Sequence, residues 1–185
     1  MNNFKTLLLA SATALALTAS AFADGHSKTV GGAEMLSDKT IVENASNSAD
    51  HTTLVAAVKA AGLVDTLSSD GPFTVFAPVN SGFAALPAGT VETLLKPENK
   101  ATLTKVLTAH VVAGNVMAED LLALIKKGHG YTNITTVSGD TITARVDGKG
   151  VYIFDESGGV SRVTIADVKQ SNGVIHVVDN VLVPK

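Results

Sequence analysis

Histidine is the residue type whose spacing in this sequence could indicate metal binding or proton transfer, because imidazole binds metal ions and titrates near neutral pH. The sequence contains five histidines. His26, His51 and His129 each lack a second ligand at a spacing typical of a metal site. His176 and Asp179 are three positions apart on a predicted strand, so the alternation of side chains places them on opposite faces. We therefore predict no metal site and no cofactor.

The sequence also lacks the common signatures of catalysis. It contains no H-E-x-x-H zinc motif, no G-x-S-x-G nucleophile elbow, no phosphate-binding P-loop and no cysteine nucleophile. Its carboxylates are scattered, and the adjacent pair Glu119 and Asp120 fits the negatively charged first turn of a helix. We predict a protein that is not an enzyme and has no catalytic residues; a hydrolase is the alternative with the least support.

Two histidines, His110 and His176, lie among apolar residues. His110 follows Leu103 and Val106 at helical spacing and so shares their apolar face. Because buried polar groups are normally hydrogen-bonded, we predict neutral imidazoles bonded to backbone, hydroxyl or amide groups. We expect burial to lower the pKa of both side chains, since it penalises the charged form.

Residues typical of binding hot spots are scarce in this chain. Trp, Tyr and Arg are the types enriched at hot spots, and the chain has no Trp, two Tyr and two Arg. Side-chain alternation on three predicted strands places several of them on single strand faces. If those faces coincide, they form a candidate partner surface of Thr143, Arg145, Tyr152, Phe154 and Arg162. The alternative is that helices or an N-terminal arm cover this face.

The N-terminus has the pattern of a secretory signal peptide. Lys5 is followed by an apolar run and by Ala21-Phe22-Ala23, which fits an A-x-A cleavage site. The run is shorter than the ~20 apolar residues that a membrane span needs. We predict a signal peptide at 1–23, a flexible leader at 24–37 and one domain at 38–185. The predicted protein is exported, periplasmic or extracellular, and has no integral membrane segment in its mature chain.

The charge balance argues against nucleic acid as a partner. Without Lys5, the chain has 13 basic and 17 acidic side chains, a net charge of −4. Nucleic acids and anionic membranes need a concentrated positive patch, which this composition does not favour. The absence of cysteine excludes a disulfide framework, so the stability of the domain must come from packing.

Helical periodicity dominates the first half of the predicted domain. We predict Asp50 as the N-cap of a helix that ends at Gly62. The segment from Phe73 to Ala77 is apolar on both faces and is predicted as an interior strand. Pro78 ends that strand, because proline cannot donate to a sheet ladder. Asn80 is expected to accept hydrogen bonds from the amides of the turn that follows it.

From Thr132 onward the hydrophobic period changes to two. A series of short strands is punctuated by tight turns, at Ser138-Gly139, Asp147-Gly148, Gly158-Gly159 and Asn172-Gly173. The last strand is again apolar on both faces. Helices in one half and a strand meander in the other, with one early strand available to join the late sheet, predict an α+β fold.

Three ordered stretches, "TVFAPVNSGF", "LTAHVVAG" and "SNGVIHVVDNVLVP", together resemble the fasciclin domain. The resemblance covers about Thr40 to Pro184. It implies a fasciclin-type wedge or sandwich of β-strands with several short helices packed against it. Such domains occur in extracellular adhesion and matrix proteins, secreted bacterial antigens and symbiosis-related bacterial proteins, and the small single-domain bacterial members look most similar.

The residues that match the family motifs are predicted to be mainly structural. They are Thr74, Phe76, Ala77, Pro78, Asn80, Phe83, His110, Asn172, Gly173, His176 and Pro184. Two positions depart from the family pattern. Ala109 precedes His110 where the family usually has tyrosine, so the chain lacks half of the pair linked to adhesion in animal members. Gly82 replaces the usual alanine, a helix penalty of about 1 kcal/mol.

The resemblance and the composition together predict a secreted, non-catalytic binding module. Its expected role is cell adhesion or association with a surface or matrix, through an unknown protein or polysaccharide at the cell surface. Weak self-association would raise avidity, because one domain usually binds with modest affinity. The alternative is a soluble periplasmic protein that binds a small apolar ligand or has a stress or symbiosis role.

Overall fold

The computed structural model describes residues 27–148 and 150–185. The predicted signal peptide, residues 1–23, lies outside the described residues, as do the first residues of the predicted leader.

The described part of the predicted flexible leader is folded, which corrects that prediction for residues 27–37. Strands β1 (Lys28–Val30) and β2 (Ala33–Met35) form an antiparallel hairpin. Val30 and Met35 are fully buried in the core. Gly31 and Gly32 make the turn with positive φ angles, a conformation that glycine adopts without strain. Each strand has only three residues, too few for alternation to predict a strand from sequence.

The helices are short and most of them lie in the first half of the chain. They are α1 (Ile41–Asn47), α2 (Thr52–Ala61), α3 (Val64–Leu67), α4 (Asn80–Ala84), α5 (Thr90–Leu94), α6 (Lys100–Thr108) and α7 (Ala118–Lys127), with 3-10 turns at Ala49–His51 and Pro97–Asn99. A reciprocal capping box between Thr40 and Glu43 begins α1. Gly62 ends α2 in the left-handed conformation with φ 73°, which confirms its predicted role.

Two predicted caps are wrong, and one contact explains both errors. Asp50 lies in the 3-10 turn before α2 and does not cap that helix. The Oδ1 atom of Asn80 instead accepts hydrogen bonds from the Thr53 amide at 3.0 Å and from the Thr52 hydroxyl at 3.1 Å. Asn80 thus satisfies a free amide in the first turn of α2 rather than amides of its own helix. Its Nδ2 donates to the Ala49 carbonyl oxygen, so it ties two segments together.

One seven-stranded mixed sheet spans the domain. Its strands are β3 (Phe73–Pro78), β4 (Val111–Ala113), β5 (Tyr131–Thr135), β6 (Thr141–Asp147), β7 (Gly150–Phe154), β8 (Val160–Gln170) and β9 (Gly173–Val178). Their order in the sheet is β4-β3-β9-β8-β7-β6-β5. Only the pairing of β3 with β9 is parallel; the others in this sheet are antiparallel. The predicted α+β class is confirmed.

The strands β3 and β9 are covered on both faces, as their sequences predicted. Val75 and Val177 face a core built with α2 and α6. Phe76 and Val178 face a second core built with α7, β6 and β7. Burial of a large apolar side chain such as Phe76 contributes roughly 1.5–3 kcal/mol. The two strands therefore join the two cores into one domain.

The long strand β8 divides the sheet into two regions. Its first residues pair with β7, and the residues from Val163 to Gln170 pair with β9. Two register shifts interrupt the second pairing, and Asp167 has a φ of 55°. Bulges of this kind bend a strand and increase its twist. We call β3, β4 and β9, together with the helices and loops that adjoin them, the inner region, and β5, β6, β7 and the start of β8 the outer region.

Candidate functional site

His110 lies two residues after the end of α6 and is 1 % exposed. Its Nδ1 atom is 2.8 Å from the Val106 carbonyl oxygen, to which it donates a hydrogen bond. Its Nε2 atom accepts from the Leu182 amide at 2.8 Å. Both ring nitrogens are satisfied only in the neutral Nδ1–H tautomer. Burial lowers the pKa of His110 from 6.5 to about 4, against smaller opposing effects of Val106 and Asp155.

His176 is buried on β9 and has the opposite tautomer. Its Nε2 donates to the Val116 carbonyl oxygen at 2.8 Å, and its Nδ1 accepts from the Asp167 amide at 3.3 Å. The ring stacks on Phe76 with the centroids 5.6 Å apart. Burial lowers the pKa of His176, and the Val116 carbonyl and the Asp167 carboxylate partly oppose that shift. Like His110, this imidazole holds a remote backbone segment in place.

A third buried histidine, His51, was missed as a core residue by the sequence analysis. Ser48 donates its hydroxyl proton to the Val30 carbonyl oxygen, so the Nδ1 of His51 donates to Ser48 Oγ at 3.0 Å. Its Nε2 has no hydrogen-bond partner among the described residues. Burial lowers the pKa of His51, while the Ala77 backbone and Asp50 partly oppose the shift. The Ser48 and His51 pair fastens the N-terminal hairpin to the helical layer.

Asn172 makes the most extensive side-chain contacts of the polar motif residues. Its Oδ1 accepts from the Ile41 amide at 3.0 Å. Its Nδ2 donates to the carbonyl oxygens of Leu67 and Ser69 at 2.8 and 2.9 Å. The side chain therefore joins α1, the end of α3 and the start of β9. Thr74 has a similar role, since its hydroxyl donates to Gly114 and accepts from the Val116 amide.

Two motif glycines allow close approach of backbone segments. A Cβ atom on Gly173 would overlap the Phe73 carbonyl oxygen of the neighbouring parallel strand. A Cβ atom on Gly82 would lie 2.6 Å from the Asp179 carbonyl oxygen. Glycine at position 82 therefore allows α4 to approach the Asp179 backbone closely, and the interpretation of this residue as only a weak helix former is incomplete.

The remaining motif residues lie in or beside the core. Phe76, Ala77, Pro78 and Phe83 are buried, and Pro184 is half-buried near the C-terminus. The predicted structural role of these residues stays a prediction that mutation can test.

The outer region brings the predicted partner-surface residues together. In the register of β5 to β8, Tyr131 is opposite Arg145, Arg145 opposite Tyr152, and Tyr152 opposite Arg162. Thr143 and Phe154 form a neighbouring pair on the same face. Directly opposed residues share a face of the sheet. The outer face is therefore defined by six side chains: Tyr131, Thr143, Arg145, Tyr152, Phe154 and Arg162.

Tyr131 is the member of the outer face that was not predicted from the sequence. The predicted meander began at Thr132, one residue too late, so the alternation was not extended to position 131. With Tyr131 included, the outer face holds both tyrosines and both arginines of the chain. These are two of the three residue types most enriched at binding hot spots.

Arg145 is held between two aromatic rings. Its Cζ atom is 5.1 Å from the centroid of the Phe154 ring and 5.7 Å from that of Tyr131. Such cation–π contacts contribute about 0.5–1 kcal/mol at exposed sites. A groove of about 430 Å³ runs beside this guanidinium and is lined in part by Tyr152 and Val160. Tyr131 remains 49 % exposed.

The helices lie on the opposite side of the outer region. Ile142 and Ile153 point away from the outer face and pack with Leu121 and Ile125 of α7. Arg145 and Arg162 are exposed, and no described element covers them. The ion pair found among the described residues joins Lys105 to Asp140 and involves neither arginine. Within residues 27–148 and 150–185, the outer face is thus open and its guanidinium groups are free of carboxylate partners.

The pocket in the apolar core beside His110 offers little room for a ligand. The cavity enclosed by α1, α2, α3 and α6, to which His110 contributes, has a volume of about 30 Å³. That volume matches a single water molecule. A larger cleft of about 250 Å³ lies at the surface between α5, α6 and the C-terminal segment, with Leu94, Val106 and Val181 in its wall.

Among the described residues, no three side chains of the metal-ligating types lie close enough to hold an ion together. No helix in that part of the chain has both the length and the apolar character needed to cross a bilayer.

Comparison with known proteins identifies the domain. The profile of the fasciclin domain family matches residues 49–184. The chain belongs to the fasciclin family. It is 51 % identical over 148 residues to the protein sll1483 of a Synechocystis species, which covers 78 % of this chain and 73 % of the relative. It is 32 % identical over 154 residues to the immunogenic protein MPB70 of Mycobacterium bovis, which covers 80 % of this chain and 71 % of that protein.

A solved structure has the same fold. The fasciclin domain pair of the insect cell adhesion molecule fasciclin I superposes with a TM-score of 0.70 at 18 % sequence identity. The match covers 78 % of this chain and half of the insect chain, as expected when one domain is compared with two. The family and the fasciclin-type fold that the sequence motifs predicted are both confirmed.

Proposed function

We propose that this fasciclin domain is an exported, non-catalytic binding module that attaches to a surface or matrix through its outer face. The observation that carries the proposal is the location of both arginines and both tyrosines of the chain on one open sheet face. A chance distribution of four such residues over the domain would scatter them. Their concentration on a single face, together with an adjacent groove, is typical of a recognition surface.

The family assignment supports the same class of function. The structural neighbour is part of a cell adhesion molecule, and the relatives reported above carry no enzyme name. Export is proposed on the signal-peptide pattern of residues 1–23. The buried histidines are not offered as contact residues, because His110 and His176 use both ring nitrogens in intramolecular hydrogen bonds.

Binding through one small face gives modest affinity, so adhesion would depend on multiple contacts. Weak self-association, or a partner with repeated sites, would supply avidity without any new contact type. A polysaccharide or a multimeric surface protein presents such repeats.

The proposal is tested by measuring how much labelled protein is retained on cells and extracellular material of the organism that encodes it. We expect the double variant Arg145→Ala/Tyr152→Ala to lose most of the retained signal. The matched control is Leu122→Ala/Lys126→Ala, which removes one exposed apolar side chain and one exposed cation from α7, on the other side of the sheet. If the outer-face double variant is retained as strongly as the wild type, the proposal is wrong.

A further inference from the structure

The four arginine and tyrosine side chains of the outer face form a single row across the strands. The order across β5, β6, β7 and β8 is Tyr131, Arg145, Tyr152 and Arg162, so rings and guanidinium groups alternate. Neighbouring strands are about 4.8 Å apart, so the strand positions that carry the two arginines are about 10 Å apart. One aromatic ring stands between the two cations.

This spacing favours a repeating anionic ligand. A guanidinium group recognises a carboxylate through two parallel hydrogen bonds. An aromatic ring offers an apolar face on which the C–H face of a sugar ring can pack. A pyranose unit in an extended chain is about as long as one step between strands. A polysaccharide with a carboxylate on every second sugar would therefore place one carboxylate at each arginine and a sugar ring at the tyrosine between them.

We propose that the outer face binds an acidic polysaccharide in which uronate and neutral sugars alternate. This inference rests on the proposed function, because it names the partner of the same face. The orientation of Arg145 between Tyr131 and Phe154 supports it, since a guanidinium already held in place loses less rotamer freedom on binding. The absence of a carboxylate partner for either arginine among the described residues leaves both free to bind an anion.

An extended acidic peptide fits the row less well. Side chains on one side of an extended peptide repeat about every 6.6–7 Å, which does not match the spacing of about 10 Å between the arginine positions. Nucleic acids also fit the row poorly, because they bind through many closely spaced phosphate contacts and two arginines do not form the concentrated positive patch that they need. Two well-spaced guanidinium groups suit a ligand with sparse, regularly repeated charges.

A carboxylate near the row opposes an anionic ligand and gives the test its direction. Asp147 is two residues beyond Arg145 on β6 and is paired with Gly150, so it lies on the face that carries the row. The exposed Asp147 carboxylate repels a negatively charged ligand bound at the neighbouring Arg145, which weakens binding by a small factor. Its neutralisation is therefore expected to strengthen binding, the opposite of the effect of removing an arginine.

The experiment is titration calorimetry of the full mature chain with unsulfated chondroitin, whose uronate alternates with a neutral sugar. The matched probe is the same polymer after reduction of its carboxyl groups to alcohols. Poly-L-glutamate and dextran serve as the acidic peptide and the neutral polysaccharide. We expect binding to chondroitin that weakens as salt rises, and at least tenfold weaker binding to each of the other three probes.

Variants locate the site. Arg145→Ala and Arg162→Ala are each expected to weaken binding about tenfold or more. Arg145→Lys is expected to weaken binding by a smaller factor, because an ammonium group keeps the charge but cannot bind a carboxylate bidentately. Asp147→Asn is expected to strengthen binding about two- to fivefold. Lys126→Ala, which removes an equal charge from α7, leaves the affinity unchanged. Melting curves measured by circular dichroism confirm that each variant is folded.

Each outcome has a definite meaning. Equal binding of native and carboxyl-reduced chondroitin, tighter binding of poly-L-glutamate, or equal losses for Arg145→Ala and Lys126→Ala would each overturn the inference. If the protein is retained on cells through the outer face yet binds none of the probes, the polysaccharide inference fails and the proposed function stands. If retention on cells does not depend on the outer face, the proposed function fails first.

Discussion

The inner and outer regions of the sheet use their polar residues in opposite ways. In the inner region, Asn172, Thr74 and His176 are buried, and each holds backbone groups of other segments. In the outer region, Arg145 and Arg162 are exposed and have no ion-pair partner among the described residues. The first pattern is typical of structural side chains and the second of a recognition surface.

This difference separates stability from binding within one small domain. Changes to the inner region are expected to act on the free energy of unfolding, because they leave buried groups unsatisfied or force backbones apart. Changes to the outer face are expected to act on partner affinity and to leave the fold intact. Four predictions test that separation, in order of decreasing effect on stability.

The largest effect is expected from Asn172→Ala. The change leaves the Ile41 amide and the carbonyl oxygens of Leu67 and Ser69 without their partner in a buried site. Each unsatisfied group costs about 1–3 kcal/mol, so we expect a loss of about 3–5 kcal/mol in the free energy of unfolding. Urea denaturation measures it. The control Asn133→Ala, at an exposed position of β5, should stay within about 0.5 kcal/mol of wild type; equal effects at the two positions would contradict the separation.

The second prediction concerns pH. The folded pKa of His110, about 4, is below the unfolded value of 6.5, so the unfolded chain binds more protons between these values. The stability that depends on neutral His110 is therefore complete above pH 6.5 and declines as the pH falls toward 4. At roughly 1.4 kcal/mol for each pKa unit, the loss is about 3 kcal/mol. His51 and His176 change stability in the same direction, because burial lowers their pKa values as well.

The variant His110→Gln isolates this contribution. A glutamine amide can donate to Val106 and accept from Leu182 without titrating. Urea denaturation at pH 7, 5.5 and 4 should therefore show a shallower decline of stability for the variant than for the wild type. Parallel declines in the two proteins would show that His110 is not responsible for the acid sensitivity.

The third prediction reverses what helix propensity alone indicates. Gly82→Ala improves helix propensity by about 1 kcal/mol. The new Cβ atom, however, would lie 2.6 Å from the Asp179 carbonyl oxygen, and overpacking of this kind typically costs about 1–3 kcal/mol. Because the two nearest atoms, at 2.6 and 3.0 Å, both belong to the backbone, we place this cost at about 2–3 kcal/mol and expect a net destabilisation of about 1–2 kcal/mol in urea denaturation. Ser81→Ala, at the exposed neighbouring position of α4, is the control and should be close to neutral. If Gly82→Ala stabilises the protein, α4 and the segment at Asp179 can move apart without cost, and the prediction is wrong.

The smallest effect on stability is expected at the outer face. Arg145→Ala removes two exposed cation–π contacts and should lower the free energy of unfolding by about 1 kcal/mol. The same variant should lose partner binding. A loss of stability as large as that of Asn172→Ala would place Arg145 among the structural residues and remove the distinction between the two regions.

Several elements could be predicted because the information lies within a few neighbouring residues. The apolar character of both faces of Phe73 to Ala77 predicted an interior strand, and Gly62 marked the end of α2. The alternation at Thr143 and Arg145, and again at Tyr152 and Phe154, placed each pair correctly on one face of its own strand. The three family motifs then predicted the fold.

Other features depend on contacts between distant segments and were missed. The amide that Asn80 satisfies is 27 residues away in sequence, so the residue was assigned to the wrong helix. The hairpin β1–β2 is held in place because Val30 and Met35 are buried in the core. The sequence of a three-residue strand is too short to predict that burial. His51 was likewise not predicted as a buried residue.

The local residue pattern thus determined which side chains share a face of each strand, because backbone geometry alternates with a strict period of two. It also determined where some elements end, through Pro78 at the end of β3 and Gly62 at the end of α2. The tertiary structure determined which faces are covered and which rows of residues align across strands, because register and helix packing join segments far apart in sequence. The row of Tyr131, Arg145, Tyr152 and Arg162 exists only once four strands have paired.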